Sequence, residues 1–369
     1  MGKKYILLRY IFRELFSYFS VSFLFLFVVF FANQILLIGE ELLSKRAPFS
    51  DVCLIMLYSI PVLVAQTTPF ATLVGFLMCL GRMNSDNEIL IIRASGFGFR
   101  YIFIPVVVLG ILISIVSFFV NDFLMPLSRI KYNELFIKIT RSNPTIVLEP
   151  NSVKQIDNST VVIGNINNDE VSDIIMFNPE GNGEEAIIVA KQSKLKDAKQ
   201  EGVLLQLDMK DCVMFTKKRS PKNYDLMICD TMLMNIFDTY FSSASGTSPS
   251  EMTSKDLRKK INELSQVLND RDYQVNYYNM EYYKKFSIPF AAVFFSVLAF
   301  SISFLFGKNN GLTMGLVTGV VICVLYWAMQ ITGQMLVVHN NINAFLCIWF
   351  PNILIGVIAA VLGLFLLRK

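Results

Sequence analysis

The sequence predicts a polytopic α-helical membrane protein with an inserted all-β domain, built as three spans, an antiparallel sandwich or roll, and three more spans. Three observations carry this. Of 369 residues 54% are hydrophobic and only 17% charged, against about 25% charged in an average soluble domain. The apolar residues gather in six blocks, each long enough for a hydrocarbon core that takes about 20 residues of helix. Between the third and fourth blocks lies a long polar stretch of short β-rich runs. The net charge of +4 calls for no nucleic-acid partner, because membrane topology accounts for where the basic residues lie.

The first block, Leu15–Leu37, follows Lys3, Lys4, Arg9 and Arg13. It is longer than a signal-peptide core and no small-x-small cleavage site follows, so it reads as a retained span. Glu40, Glu41, Lys45, Arg46 and Asp51 make a mixed-charge loop. The second span, near Val52–Leu80, holds Pro61 and Pro69 around Gln66-Thr67-Thr68. Each proline removes an intrahelical hydrogen bond, so a kink is expected, with threonine hydroxyls or a neighbouring helix taking up freed carbonyls. The third span covers Ile102–Val120 and ends at Asn121, Asp122 and Pro126. The fourth covers Phe286–Phe306, the fifth Leu312–Val338 and the sixth Ala344–Leu367, with a tight Gly307–Asn310 turn after the fourth.

Basic residues in short segments stay cytoplasmic. They occur at the N-terminus, in the second-to-third loop (Arg82, Arg93, Arg100), at Lys308 and at the C-terminal Arg368-Lys369. Both termini are therefore expected inside and the middle region outside. That region carries β-rich runs at Thr145–Leu148, Ser159–Gly164, Asp173–Phe177, Ala186–Ala190, Gly202–Asp208, Asp211–Thr216 and Asp225–Met234. Asn, Asp, Gly and Pro clusters separate them, the pattern of an antiparallel sandwich or roll. From Ser250 the pattern turns helical, with Leu257, Ile261, Leu264 and Leu268 on one face and a return to the membrane at Glu281–Lys285. The divisions are then 1–126 for the first three spans, 127–250 for the β domain, 251–285 for the helical return and 286–369 for the last three spans.

The loop Gly81–Arg100 stands apart. Ser85 and Glu88 have capping-box spacing, which starts a helix, and Gly96 and Gly98 provide a stop. A short amphipathic helix near 85–95 is expected just outside the membrane, with Asp86, Glu88 and Arg93 available to a partner. Cys212 and Cys229 are the two cysteines of the polar region. They could pair if it lies outside the cytoplasm, which spacing alone leaves open.

An enzyme is disfavoured. Ionisable groups at membrane depth are costly and usually functional, and the spans are nearly free of them. There is no H-E-x-x-H pair, phosphate loop or Cys/His metal spacing. The single histidine, His339, sits at a span edge. Gly311, Gly315 and Gly319 share one face of the fifth span. Such small-x-x-x-small faces permit close helix approach, either as internal packing or as a pair that opens against a partner; Ala359 and Gly363 repeat the theme weakly.

Several motifs together resemble the LptF/LptG permease family, which moves lipopolysaccharide out of the inner membrane of Gram-negative bacteria. They are Arg9-Tyr10…Arg13-Glu14, Pro61…Gln66…Pro69, Leu80-Gly81-Arg82, Asn87-Glu88-Ile89…Arg93-Ala94-Ser95-Gly96, Lys284–Phe290 and Trp349-Phe350-Pro351-Asn352. The resemblance spans essentially the whole chain. It implies a heterodimer with a sibling permease, a separate cytoplasmic ABC ATPase dimer that holds ATP and magnesium, and no cofactor in this chain. It further implies a periplasmic β-jellyroll-like domain passing lipid to a bridge of similar rolls. The 85–95 segment matches the family's coupling helix, whose glutamate falls on Glu88; Ser85, Asp86 and Arg93 flank it. The first and fifth spans match the family's lateral gate, which places Gly311, Gly315 and Gly319 there.

One departure stands out. The family holds its anionic head group with cations near the outer end of the first span. Here that stretch reads Ala32-Asn33-Gln34-Ile35-Leu36-Leu37, then Glu40 and Glu41. Gln34, Lys45 and Arg46 are the available head-group contacts. Carboxylates repel an anion, so either the substrate is a less anionic glycolipid or the sibling supplies the charge. The N-terminal motif and Leu80-Gly81-Arg82 lean toward the F-type subunit. The alternative class is a membrane-anchored sensor or scaffold whose β domain binds a ligand and whose cytoplasmic loop contacts a signalling partner.

Overall fold

The computed structural model describes residues 2–43, 48–142, 151–156, 159–167, 170–180, 184–197, 203–217, 224–237, 248–267, 273–304 and 311–368. The chain forms two compact units. The first comprises Met1–Gly39, Met56–Lys131 and Pro249–Lys369; the second comprises Glu40–Ile55 and Tyr132–Ser248. The expected turn at Gly307–Asn310, the run Thr145–Leu148 and the cations Lys45 and Arg46 lie outside the described residues.

The helices are α1 Gly2–Leu43, α2 Phe49–Ser85, α3 Glu88–Ala94, α4 Arg100–Phe119, α5 Met125–Ser142, α6 Ser254–Val267, α7 Tyr273–Ser303, α8 Gly311–Asn340 and α9 Ala344–Arg368. Six stretches are long and apolar enough to cross a membrane: Tyr5–Gly39, Phe49–Ser85, Arg100–Phe136, Tyr273–Ser303, Gly311–Asn340 and Ala344–Gly363. The α2 helix runs continuously through Pro61 and Pro69. Thr68 and Thr72 donate to the carbonyls of Val64 and Thr68 at 2.6 and 2.8 Å, which ties their hydroxyls to the helix around the proline. The third span does not stop at Val120. It passes through a π-helical turn, Val120–Leu124, into α5, so helix continues past residue 126 and the first described strand begins at Ser152.

The membrane core is aromatic and aliphatic. Phe76, Leu77 and Leu80 of α2, Ile102 and Val106 of α4, and Phe295 and Ala299 of α7 interlock with Ile11 and Leu15 of α1. A polar chain runs beside it: the Gln330 amide donates to Tyr326 Oη at 3.0 Å, and Tyr326 donates to Asn352 Oδ1 at 3.0 Å. Asn352 donates to Ser287 O at 2.8 Å. Buried polar groups without partners are costly in hydrocarbon, so this chain specifies how α7, α8 and α9 face one another.

The second unit holds one antiparallel sheet of β1 Ser152–Ile156, β2 Ser159–Ile163, β3 Ile166–Asn167, β4 Glu170–Glu180, β5 Glu184–Asp197, β6 Val203–Lys217 and β7 Tyr224–Phe237. The order is β1-β2-β4-β5-β6-β7, with β3 beside β4, an up-and-down path among the described residues. Two expected runs, Gly202–Asp208 and Asp211–Thr216, are one strand, β6. The reason is local. Asp211 has φ 53° and Asp173 has φ 54°, and aspartate is among the few residues that tolerate this left-handed conformation. At that level the inward positions step by three residues instead of two. Val171 and Ile174 are both buried, as are Ala190 and Ser193, and Met209 and Cys212. The register aligns the break across strands, since Ile174 pairs Ala190, Ala190 pairs Cys212, and Cys212 pairs Cys229. Cys212 and Cys229 are thus directly opposite, and both are free thiols.

Candidate functional site

The last turn of α2 ends in Gly81-Arg82 and then Ser85. Arg82 is the hub. Its Nη2 donates to Glu14 Oε2 at 3.0 Å, and its Nη1 reaches Asp86 Oδ2 at 3.1 Å and Glu88 Oε1 at 3.0 Å. The Tyr10 hydroxyl donates to the other Glu88 oxygen, Oε2, at 3.0 Å. The guanidinium carbon also lies 5.7 Å from the centre of the Tyr18 ring. Arginine suits this place because its planar fork can engage several carboxylates at once. Three carboxylates from two parts of the chain thus converge on one guanidinium.

The α3 helix starts differently from the capping-box expectation. Ser85 is still in α2, and its hydroxyl accepts the N–H of Gly311 at 2.9 Å, so it caps α8 rather than α3. Asn87 takes φ 59° at the N-cap of α3 and makes no side-chain cap bond. The left-handed residue turns the chain sharply enough that Glu88 swings onto Arg82 instead of back to Ser85. The C-terminal stop is Gly96 alone, at φ 85°. Phe97 N–H bonds Ile92 O and Gly96 N–H bonds Arg93 O, the two bonds of a Schellman closure. Gly98 instead precedes α4. Ile89 and Ile92 are buried, whereas Leu90 and Ile91 are 54% and 61% exposed. Arg93 stacks over Phe99 at 4.3 Å. Asp86 and Glu88 are therefore held internally as well as partly open, Glu88 the more enclosed of the two.

The glycine face of α8 meets α2. A side chain on Gly311 would collide with Gly81 O and on Gly315 with Leu77 O, and one on Gly319 would press on Val74. The seam lies beside the Arg82 hub, one turn from Ser85. Gln34 lies in α1 and is half-buried. His339 is exposed in the last turn of α8.

Sequence reasoning missed two arrangements. The first is the hub's reach into α1. Tyr10, Glu14 and Tyr18 are four residues apart, so they share a helix face, and that spacing was the available signal. The second is a buried cluster at the π-helical turn. Lys285 Nζ lies 3.8 Å from Asp122 Oδ1 with both side chains about 5% exposed. Asp122 accepts the Ser254 N–H at 2.7 Å and its hydroxyl at 2.9 Å, while Asn121 donates to Lys285 O at 3.1 Å. No spacing signals a pair so far apart in sequence.

Six membrane-length helices, an antiparallel sheet inserted after the third and a short helix between the second and third define a polytopic membrane protein with an extramembrane domain. The profile of the lipopolysaccharide export system permease LptF/LptG matches residues 9–369, and the chain belongs to that family. It is accordingly an integral inner-membrane protein with a permease role in lipopolysaccharide export. A search of curated proteins finds no match to it.

Proposed function

We propose that this chain is the permease subunit of an ATP-driven transporter that lifts lipopolysaccharide or a related glycolipid from the inner membrane and passes it to a periplasmic bridge of β-rolls. It pairs with a sibling permease. A separate cytoplasmic ATPase dimer binds ATP and magnesium and performs the hydrolysis. Both termini lie in the cytoplasm and the sheet in the periplasm, as the distribution of basic residues supports.

The observation that carries this reading is α3. Glu88 opens it, with Asp86 in the turn just before, next to exposed Leu90 and Ile91, while Ile89 and Ile92 root it in the bundle. A charge fixed by neighbours next to exposed aliphatic side chains is a protein-docking surface. When the ATPase closes, α3 is pushed, the spans converge and the lipid moves outward. The sheet offers acyl chains an apolar face. Opposite its closed core, Val189, Val213 and Ile228 align across β5, β6 and β7, with Phe215 and Leu226 beside them, and these side chains are 38–74% exposed. A contiguous exposed apolar surface of this kind marks an interaction site. The scarcity of cations around Gln34 favours a sibling that supplies charge to the head group, or a less anionic substrate.

Co-purification with the candidate ATPase and sibling tests the reading, with lipid-stimulated ATP hydrolysis as the readout. Glu88→Ala is expected to release or uncouple the ATPase. Failure of the wild-type chain to bind any ATPase overturns the reading.

A further inference from the structure

We propose that Arg82, with Tyr10 and Glu14, is a mechanical link that carries a load on the coupling segment into the first span, so that these three are positioning residues for transport. This rests on the permease reading above.

The two oxygens of Glu88 are held by donors from different helices. Arg82 of α2 takes Oε1 and Tyr10 of α1 takes Oε2. Through its second nitrogen, Arg82 also holds Glu14 of α1. Tyr10, Glu14 and Tyr18 form a stripe along α1, all turned to the same guanidinium or to the carboxylate it binds. Arg82 sits in the last turn of α2, next to the seam where Gly81 meets Gly311 of α8. Displacing α3 therefore pulls directly on α1 and on the α2–α8 contact.

The placement argues against a purely stabilising role. Ion pairs near a surface each contribute little, and three carboxylates around one guanidinium is an inefficient way to stabilise a bundle end. The same arrangement is efficient as a joint. A partner cation approaching Glu88 competes with Arg82 for one carboxylate, and Arg82 keeps Asp86 and Glu14 as alternative partners. The joint can shift its bonds without leaving a charge unpaired.

Two arms test the link. In the first, the Tyr10→Phe/Glu14→Gln double variant and the Arg82→Lys variant are assembled with the ATPase and sibling in vesicles containing lipopolysaccharide. The expected result is a fall of about tenfold in lipid moved per ATP, within the usual range of coupling between sites, well beyond any change in assembly or in lipid-free hydrolysis. Lysine keeps the charge but lacks the fork needed to hold α1 and α3 together. A structural role alone would lower assembly and both activities in parallel, and that outcome, or an unchanged ratio, overturns the link. In the second arm, spin labels at Ile6 and Ile91, both exposed, report the α1–α3 distance in the full chain without the ATPase. A narrow wild-type distribution that broadens in the double variant is expected; identical distributions overturn the link. Because this arm needs no ATPase, it decides the link even where wild type fails to bind one, a failure that counts against the permease reading instead.

Discussion

Gly81 and Gly311 meet backbone to backbone: a methyl group added to either would run into the other's carbonyl oxygen. The contact brings the end of α2 against the start of α8, where Ser85 also caps Gly311. Backbone cannot move aside as a flexible side chain can. Gly311→Ala or Gly81→Ala should therefore destabilise by about 1–3 kcal/mol, the usual cost of overpacking, read as a lower thermal midpoint in detergent. Gly363→Ala is the control. Its nearest neighbour would be Ser301 Oγ at 3.6 Å, an ordinary contact, so the midpoint should stay put.

The Asp122–Lys285 pair should behave as a buried charge pair. Asp122→Asn leaves the lysine buried and uncompensated, a loss of about 3–5 kcal/mol. Lys285→Met in the same chain should recover part of it, because neighbouring sites are non-additive. Thermal unfolding of the two single variants and the double variant measures the coupling. Losses of the two single variants that simply add in the double variant would show that the two charges do not interact.

The left-handed residue within β6 gives a sharper test. Asp211 has φ 53°, which glycine accepts freely and a β-branched residue does not. Asp211→Gly should leave the sheet unharmed, and Asp211→Val should cost about 1–2 kcal/mol. Hydrogen exchange across β5, β6 and β7 reads the difference, with faster exchange expected only in the valine variant.

Burial pushes the Cys212 thiol above its ordinary range, helped by Cys229, Asp211 and Asp208. A raised value means less thiolate at a given pH, so alkylation of Cys212 should reach half its maximal rate at a pH above the ordinary thiol value of about 8.5. The sign for stability follows. The folded state holds the proton more tightly, so this contribution is complete below the ordinary thiol pKa and is lost as pH rises through the raised one. Mass spectrometry of the wild-type protein, labelled across alkaline pH and read on the peptide that carries Cys212, checks it.

Much of the architecture was legible along the chain. Six apolar blocks carried the spans because lipid leaves a helix few alternatives, and β-rich runs between turn residues carried the sheet. Strand limits were less legible. Asp211 reads as a turn residue, yet within β6 its left-handed conformation only shifts the strand's phase, so one strand looked like two. Ser85 and Glu88 had the spacing of a capping box, but that spacing cannot sense Gly311, more than two hundred residues onward, which claims the Ser85 hydroxyl.

By itself the sequence determined the membrane class, the three-plus-three layout, the inserted sheet and the family, since these follow from local composition, periodicity and motif spacing. Only the tertiary structure decided who partners whom: Arg82 with Glu14 and Glu88, Asp122 with Lys285 and Ser254, and the glycine face with α2. These are contacts between residues far apart in the chain. Their free energy comes from desolvation and close approach in three dimensions, and neither quantity is written in the order of the residues.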